Sequence, residues 1–299
     1  MTSLTILDNL LVKSGFFIGG FEIKFYAICI MTAFIACGLV GIYLFKKRGY
    51  NTDLVLDCLI AIIPCAIIGA RLWYVLLELD EFKTASGGFD FIGALKIWEG
   101  GLAIHGGVFA SVIGLLIVSK VKKVSLGKLT DIGAALLPLG QAIGRWGNFF
   151  NQEVYGKPTS VTWFPYSVYI ERTGQYHHAL FFYEMVLNLI LFAVLFYFIT
   201  HYKGRRNLYS TSGYLIGYGV IRAVLEPLRV EEFQMGYWSI PTSVLTAIGM
   251  IVVGVGILAF VIYKDVKDKN YWWKDFFKKD NLADRKEEVS SKINENEGE

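Results

Sequence analysis

The sequence predicts an all-α polytopic membrane protein, and three observations lead to this class. Of the 299 residues, 54% are hydrophobic and only 18% are charged, whereas soluble domains carry about 25% charged residues. Seven apolar stretches come close to the roughly 20 residues that a helix needs to cross a bilayer core. Lysine and arginine are concentrated in alternate loops. The formal net charge of +3 is too small to indicate a nucleic-acid-binding protein.

Seven transmembrane helices are therefore expected, and the fourth and sixth are weaker because Gly, Pro and charged residues interrupt them. Such segments are stable only where neighbouring helices or a wet cavity satisfy their polar groups. The first segment has neither a basic n-region nor a small-residue cleavage site, so we expect a retained helix rather than a signal peptide. The predicted spans are 25–45, 54–77, 101–119, 131–146, 179–200, 211–227 and 240–263.

The loop charges predict the orientation, because Lys and Arg in short loops stay on the cytoplasmic side. The loops after the second and sixth spans are richer in acidic residues, whereas those after the odd-numbered spans are basic. We therefore expect the N-terminus outside and the C-terminus in the cytoplasm. The basic residues after spans one, three and five are Lys46, Lys47, Arg48, Lys120, Lys122, Lys123, Lys128, Lys203, Arg205 and Arg206.

The chain divides into a membrane domain and a tail. Residues 1–263 form the predicted catalytic membrane domain, with an extracytoplasmic connection at about 147–178. In the predicted cytoplasmic tail, 264–299, lysines first alternate with aromatic residues, as in an interfacial anchor on anionic lipid. Beyond Asp280 the tail is acidic and polar, and we expect disorder there. The four cysteines form no CxxC pair and lack metal-ligand spacing, so we expect packing residues and no cofactor.

Polar side chains are concentrated at the outer ends of six spans. An ionisable group at the centre of a membrane helix costs about 2.5–3.5 kcal/mol, which makes each one a functional candidate. A transporter would carry such groups at the midplane, and a channel would carry them through both leaflets. The sequence instead predicts a site in the outer half of the membrane, with Asp57 and Asp131 as solvated residues at cytoplasmic helix ends. The outer residues are Tyr26, Arg71, His105, Arg145, Tyr183, Glu184, Arg222 and Glu226.

The arginines indicate a ligand with a phosphate group. Arg222, Glu226 and Arg229 recur at i, i+4 and i+7, so they share one helix face, and Arg145 lies at a similar depth. Guanidinium groups bind phosphate oxygens bidentately and stay charged at low dielectric. The pattern predicts a phospholipid headgroup site. The alternative is that these arginines form structural ion pairs with Glu226 or Glu184. For Arg71 and Arg229 we give structural pairing and phosphate binding equal weight.

His105 precedes two glycines, Gly106 and Gly107. A single histidine on an apolar face usually packs, but missing side chains beside it let a backbone or a ligand approach closely. An imidazole is a suitable general base near neutral pH. Packing and catalysis both remain open for His105.

The densest polar segment is GRWGNFFNQEVYG, at residues 144–156. An arginine, two amides and a carboxylate among glycines at a helix exit predict headgroup binding through side chains and exposed backbone N–H groups. This segment closely resembles the signature of the bacterial prolipoprotein diacylglyceryl transferases. The resemblance covers about Tyr26 to Arg229, and it includes WEGG at 98–101, HGG at 105–107 and GYGVIR at 217–222.

The resemblance implies a multi-pass enzyme of the bacterial cell membrane, with its site toward the outer leaflet and no cofactor. That family transfers a diacylglyceryl group from phosphatidylglycerol to the lipobox cysteine of secreted prolipoproteins, the first step of lipoprotein maturation. The reaction leaves glycerol phosphate and a thioether. The positions that match its functional residues are Tyr26, His105, Arg145, Asn148, Glu153, Gly156 and Arg222.

The residue roles follow from the resemblance together with the residue types. Arg145 and Arg222 would hold the phosphate, and His105 would accept the thiol proton, with Tyr26 and Glu153 as the next candidates. Asn148, Asn151 and Glu153 would orient the headgroup glycerol, and Gly156, Glu226 and Arg229 complete the predicted substrate site. One departure from the family precedes Tyr183-Glu184: His178 is followed by Ala179-Leu180, where members tend to have Pro and Ser or Thr.

Other functions compete with this reading. A phospholipid-headgroup transporter is the first, and the absence of polar residues at the midplane counts against it. An intramembrane protease would need a motif such as HExxH, which the sequence lacks. A non-catalytic lipid-binding membrane protein is compatible with the sequence.

Overall fold

A computed structural model describes residues 14–19, 21–84, 87–202, 205–230, 236–237 and 240–272. The predicted disordered tail and the acidic pair Glu231-Glu232 lie outside the described residues. Lys203 and most of the predicted tail anchor lie outside them as well.

Each predicted span corresponds to a helix. Five of the described helices, those that begin at Phe25, Leu54, Ile104, Leu180 and Thr242, are long and apolar enough to cross a membrane. The helix that corresponds to the fourth predicted span, Leu126–Phe150, extends beyond 131–146 at both ends. The polar residues at those ends interrupt the apolar pattern from which the span was predicted. The helices are α1 (Phe25–Lys47), α2 (Leu54–Leu77), the short α3 (Phe91–Leu95), α4 (Ile104–Val121), α5 (Leu126–Phe150), α6 (Leu180–His201), α7 (Tyr209–Leu225) and α8 (Thr242–Lys267).

Within the described residues, three short antiparallel hairpins add strands to a mostly helical fold that the sequence predicted as all-α. Each hairpin immediately precedes a membrane helix: the first leads into α1, the second into α6 and the third into α8. Strands of two to four residues are too short to produce a visible alternation of polar and apolar residues. The pairs are β1 (Gly15–Ile18) with β2 (Phe21–Lys24), β3 (Ser167–Ile170) with β4 (Gln175–His178), and β5 (Gly236–Tyr237) with β6 (Ile240–Pro241).

Helix α5 is central, because it packs against α1, α6 and α7. Helices α2 and α4 form a close pair beside it, and α8 packs on α7. Small residues make these contacts possible, as is common between membrane helices. At Gly69 of α2, a Cβ atom would lie 2.2 Å from the Cβ of Ala110 on α4.

The largest buried apolar cluster occupies the half of the bundle beside the basic loops, with Leu44, Ile132 and Ile199 among its members. Asp131 lies in this half and is only 3% exposed. Its carboxylate accepts hydrogen bonds from Arg205 Nη1 at 2.7 Å and from the backbone N–H of Thr211 at 2.9 Å.

The prediction of a solvated Asp131 is therefore wrong. The first N–H groups of a helix lack partners within it, and Asp131 supplies acceptors for those of α7, including the N–H of Leu208 at 2.9 Å. A carboxylate there also opposes the positive end of the helix dipole. Asp57, by contrast, is partly exposed and pairs with Lys122 at 2.8 Å.

Gly69→Ala should lower the stability of the purified protein, because the added methyl group has no room between α2 and α4. Overpacking of this kind typically costs about 1–3 kcal/mol, so we expect a lower melting temperature in detergent. Gly38→Ala is the matched control, since a Cβ there would meet no described residue packed against this part of the helix within 4 Å and Ala favours the helix. Equal melting temperatures for both variants would contradict the close α2–α4 contact.

Candidate active site

Arg145, near the end of α5, is joined to Glu184, in the first turns of α6, by a direct ion pair. The other terminal nitrogen of Arg145 donates to Asn148 Oδ1 at 2.9 Å. Asn148 in turn donates through Nδ2 to Glu153 Oε1 at 2.8 Å. Arg145 and Asn148 are three residues apart on α5, so their side chains lie next to each other on one face of the helix. Three polar residues of the 144–156 segment thus form one hydrogen-bonded chain that ends on a neighbouring helix.

Arg222 on α7 reaches the same carboxylate from the other side. Its Nη1 lies 3.5 Å from Glu184 Oε2, and its Nη2 lies 3.0 Å from Glu226 Oε2. Arg229 Nε lies 3.8 Å from the same oxygen of Glu226. Tyr218, one turn before Arg222, donates to Glu184 at 3.4 Å. Glu184 therefore links α5, α6 and α7 through two arginines and a tyrosine.

Both sequence interpretations of the arginines meet in this cluster. Arg145, Arg222 and Arg229 pair with glutamates, as the structural alternative requires, and they also converge on one place, as a phosphate site requires. The two glutamate side chains, Glu184 and Glu226, are each 3% exposed, against 12–17% for the arginines. The arginines thus form the more accessible part of the cluster.

The charge of the cluster favours an anionic ligand. Three guanidinium groups face two buried carboxylates, Glu184 and Glu226, which leaves one positive charge in excess. Glu153 adds a negative charge only at the edge, through Asn148. Burial, followed by the neighbouring Arg222 guanidinium, lowers the pKa of Arg229. An anion would be attracted to the three guanidinium groups at the centre of this cluster.

Tyr26 lies beside the 144–156 segment because Gly147 has no side chain. A Cβ atom at Gly147 would lie 2.6 Å from Tyr26 Cδ2. The neighbouring rings of Phe25 and Phe150 also pack, with centroids 4.9 Å apart. The start of α1 is therefore fixed against the end of α5, and Tyr26 is 37% exposed there.

The segment's backbone differs from the prediction of exposed N–H groups. Residues 144–150 form the last turns of α5, and the N–H of Asn151 donates to Gly147 O at 3.0 Å. The N–H groups of Gln152 and Glu153 likewise donate to carbonyls of that last turn. For Asn151, Gln152 and Glu153 that prediction is wrong, since these donors are already used. The Asn151 side chain is exposed and makes no hydrogen bond to any residue in the described ranges.

Gly156 ties the connection between α5 and α6 to the end of α7. It forms an isolated β-bridge with Arg229, and its N–H donates to His178 O at 3.0 Å. A Cβ atom at Gly156 would lie 2.7 Å from the Cβ of His178. Gly156 therefore acts through packing beside Arg229.

His105 lies in the first turn of α4, and its side chain is exposed. The glycines that follow it serve the contact with α2: a Cβ at Gly106 would lie 2.2 Å from Gly69 O, and one at Gly107 would lie 3.3 Å from Ala66 O. Their packing role explains them without a ligand. Within the part of the chain that the structure describes, no hydrogen bond joins His105 to the arginine cluster, so its role as the base stays a prediction.

Arg71 is neither a member of this cluster nor paired with a glutamate among the described residues. Its buried guanidinium donates to four backbone carbonyls of the segment between α2 and α4, at 2.6–2.9 Å. Arg71 therefore holds that segment in place, a role that the sequence did not suggest. The four acceptors are Ala94, Gly93, Gly100 and Gly101.

A second polar layer lies one helical turn deeper, and the sequence analysis missed it. Gln141 on α5 donates to the Tyr214 hydroxyl on α7 at 2.8 Å, and Asn188 on α6 is completely buried. Each residue of this layer lies four residues, about one helical turn, from a residue of the arginine cluster. The pairs are Gln141 with Arg145, Asn188 with Glu184, and Tyr214 with Tyr218, which is itself four residues before Arg222. A search for uncharged polar residues at that spacing would have found it. The argument against a transporter therefore holds for ionisable residues only.

The altered sequence before Tyr183 leaves an ordered helix start. The N–H of Ala179 donates to Tyr166 O at 3.2 Å, and the Tyr183 hydroxyl donates to the same carbonyl. Helix α6 begins at Leu180. Tyr166, in the connection between α5 and α6, thus fixes the turn that leads to Glu184.

Glu184→Gln should destabilise the protein, because it keeps the side-chain shape but removes the charge between Arg145 and Arg222. Breaking a buried ion pair typically costs about 3–5 kcal/mol, so the melting temperature should fall clearly. Glu171→Gln, on an exposed glutamate of the β3–β4 turn, is the control and should leave it unchanged. A Glu184→Gln protein as stable as this control would mean that the arginines do not depend on Glu184.

Comparison with known proteins supports the resemblance seen in the sequence. The family model described as "Prolipoprotein diacylglyceryl transferase" matches residues 13–260. Curated proteins named phosphatidylglycerol–prolipoprotein diacylglyceryl transferase are similar over most of their length. The protein of Thermotoga petrophila is 37% identical over 77% of this chain and 78% of its own, and that of Finegoldia magna is 36% identical over 81% and 93%. The protein of Listeria monocytogenes serotype 4a is 34% identical over 88% and 93%.

The matched range includes every residue of the arginine cluster and the whole 144–156 segment. It also includes Tyr26 and His105. The chain therefore belongs to the prolipoprotein diacylglyceryl transferase family.

Proposed function

We propose that this protein transfers the diacylglyceryl group of phosphatidylglycerol to the thiol of the lipobox cysteine in secreted prolipoproteins. This is the first step of bacterial lipoprotein maturation. The observation that carries the proposal is the convergence of Arg145, Arg222 and Glu184 with Asn148 and Glu153. The names of the similar proteins supply the substrates.

The reaction needs a site that stabilises a departing phosphate. The cysteine sulfur attacks the glyceryl carbon that bears the phosphate oxygen, a carbon–sulfur bond forms, and the carbon–oxygen bond breaks. Glycerol phosphate leaves with the bonding electrons. Arg145 and Arg222 offset the charge that develops on it, as oriented cations do in such transition states. Glu184 holds the two guanidinium groups in place before the substrate arrives.

The remaining polar residues orient the headgroup and accept a proton. Asn148 lies between Arg145 and Glu153, where its amide can bond to a glycerol hydroxyl, and Asn151 extends this edge. His105 is our first candidate for the base that generates the thiolate, the competent nucleophile. Tyr26, packed against Gly147, and Glu153 are the next candidates. No metal or other cofactor is part of this mechanism.

The proposed membrane arrangement places this site toward the outer leaflet of the bacterial cell membrane. All seven long helices cross the bilayer in this proposal, including α5 and α7, with the N-terminus outside and the C-terminus in the cytoplasm. The basic loops support the orientation. The burial of α5 among α1, α6 and α7 explains how its polar residues are tolerated.

The deeper layer of Gln141, Tyr214 and Asn188 is the observation that best suits a phospholipid-headgroup transporter. The two functions differ in their products. A transferase attaches the lipid label to a lipobox peptide, whereas a transporter moves intact phospholipid between leaflets and leaves the peptide unchanged. A non-catalytic lipid-binding protein does neither.

Purified protein mixed with labelled phosphatidylglycerol and a lipobox peptide should produce lipidated peptide. Arg145→Lys and Arg222→Lys should lower its turnover by orders of magnitude, because lysine keeps the charge but lacks the planar fork. Arg172→Lys, in the extracytoplasmic connection, is the control variant. Near wild-type turnover in both cluster variants would rule out the proposed bidentate phosphate role.

His105→Gln tests the proposed base. Gln resembles His in size but accepts no proton near neutral pH, so turnover should be largely lost while phosphatidylglycerol binding persists through the arginines. His201→Gln, at the end of α6, serves as the control. If His105→Gln turns over normally, the proton goes to another group, and Tyr26→Phe and Glu153→Gln become the variants to measure.

The orientation can be tested by cysteine accessibility in intact cells, with the four native cysteines replaced by alanine. Single cysteines placed at 46–53, 120–130, 201–210 or 264–299 should resist a membrane-impermeant reagent, while one at position 160 should react. Labelling of the 201–210 loop from outside would overturn both the topology and the outer-leaflet site.

A further inference from the structure

His177 lies in strand β4, within the connection between α5 and α6, and it has no part in the proposed chemistry. Its side chain is buried, and both ring nitrogens have partners. Nδ1 lies 2.7 Å from Gly156 O, and Nε2 lies 2.9 Å from Thr173 Oγ1. A carbonyl oxygen can only accept a hydrogen bond, so Nδ1 carries a proton and donates it to Gly156. The imidazole is therefore held in one orientation, with a donor directed at the Gly156 carbonyl.

The contact between His177 and Gly156 is closed off from solvent. The ring of Tyr155 packs edge-on against the imidazole, with centroids 4.6 Å apart, and Tyr155 is itself buried. Gly156 is buried as well. A buried carbonyl that loses its donor costs about 1–3 kcal/mol, because water does not replace the missing partner. Removal of the His177 donor would therefore favour a shift of the Gly156 main chain.

Gly156 is also the point at which this connection meets the end of α7. It forms an isolated β-bridge with Arg229, and the N–H of the next residue, Lys157, donates to Leu228 O at 2.8 Å. The two chains approach closely, since a Cβ atom at Gly156 would lie 3.0 Å from Leu228 O. A shift of the Gly156 main chain would therefore move the main chain of Arg229.

Arg229 carries this contact to the arginine cluster. It directly follows the 3₁₀ turn Glu226–Leu228 and has an extended backbone. Its Nε lies 3.8 Å from Glu226 Oε2, the oxygen that also binds Arg222. A guanidinium group at the end of a long, flexible side chain loses its place when the main chain that carries it moves. One hydrogen bond from His177 thus bears on the cluster through Gly156.

We propose that His177 is a positioning residue of the anion site. Its Nδ1–H holds the Gly156 carbonyl, and Gly156 with Lys157 holds Arg229 at the edge of the arginine cluster. The statement that Arg229 meets the donor phosphate rests on the proposed function, whereas the coupling between His177 and Arg229 does not. No proton transfer to the substrate is assigned to His177.

Three replacements separate the hydrogen bond of His177 from its packing. His177→Asn places an amide nitrogen near the position of Nδ1, so it should keep the bond to Gly156. His177→Leu has nearly the same shape as Asn but no donor. His177→Gln is closer to His in size, but its amide lies one atom further out, toward Thr173. A positioning role predicts that Asn is tolerated best, whereas a packing role predicts that Gln is.

The first measurement is the rate at which phenylglyoxal, a reagent for guanidinium groups, modifies Arg229 in the full chain in detergent. Mass spectrometry gives this rate relative to Arg206, an internal reference at the other end of α7 with a side chain that is 36% exposed. His177→Leu and His177→Gln should raise the relative rate several-fold, and His177→Asn should leave it near the wild-type rate. Equal rates in all four proteins would overturn the coupling.

The second measurement is turnover of phosphatidylglycerol with a lipobox peptide. His177→Leu and His177→Gln should raise the KM for phosphatidylglycerol several-fold and keep kcat within about twofold, because Arg145 and Arg222 still stabilise the transition state. His177→Asn should restore the KM. In an Arg229→Gln background, His177→Leu should have no further effect on the KM, since the residue through which it acts is absent.

A fall in kcat at unchanged KM would overturn the positioning role, and so would a full effect of His177→Leu in the Arg229→Gln protein. Asn no better tolerated than Gln would indicate packing instead. If His177→Leu does not elute as a folded protein, His177→Gln supplies the same comparison with Asn. A wild-type protein that forms no lipidated peptide would contradict the proposed function alone, and the modification rates of Arg229 would still decide the coupling.

Discussion

The carboxylate of Glu184 is the contact on which the arrangement of the site depends. Arginine side chains are long, and two of them in a low-dielectric environment repel each other unless an anion lies between them. Glu184 provides that anion for Arg145 and Arg222, which arrive on different helices. The same group that stabilises the bundle therefore fixes the separation of the two guanidinium groups. In the proposed reaction, a substrate phosphate would meet cations that are already positioned, which is the condition for electrostatic catalysis without reorganisation.

The sequence predicted the helices well because their signal is strong. About 20 apolar residues in succession are typical of a helix that crosses a bilayer, and each predicted segment corresponds to a helix. It failed where the structure depends on short or long-range contacts. The hairpin β3–β4 has four residues per strand, too few for a periodic pattern. The burial of Asp131 depends on Arg205, 74 residues away in the sequence.

The sequence predicted the residues of the candidate site better than the contacts between them. Arg145, Asn148, Glu153 and Arg222 lie together as the residue types and the family resemblance suggested. Glu184 was considered only as a possible partner, because charge pairing between distant segments leaves no spacing signal. The roles of individual glycines were also out of reach, since a glycine beside a ligand and one beside another helix look the same in a sequence.

The capping of α7 by Asp131 also constrains how this family member can vary in length. The start of α7 is bonded to Asp131 and Arg205, and its end carries Tyr218 and Arg222. Each residue of an α-helix turns the chain by about 100°. Insertion or deletion of a single residue between these two anchors would rotate Arg222 away from Glu184 while the cap stayed in place. Amino-acid substitutions along α7 can be absorbed locally, but its length is fixed by the two polar clusters at its ends.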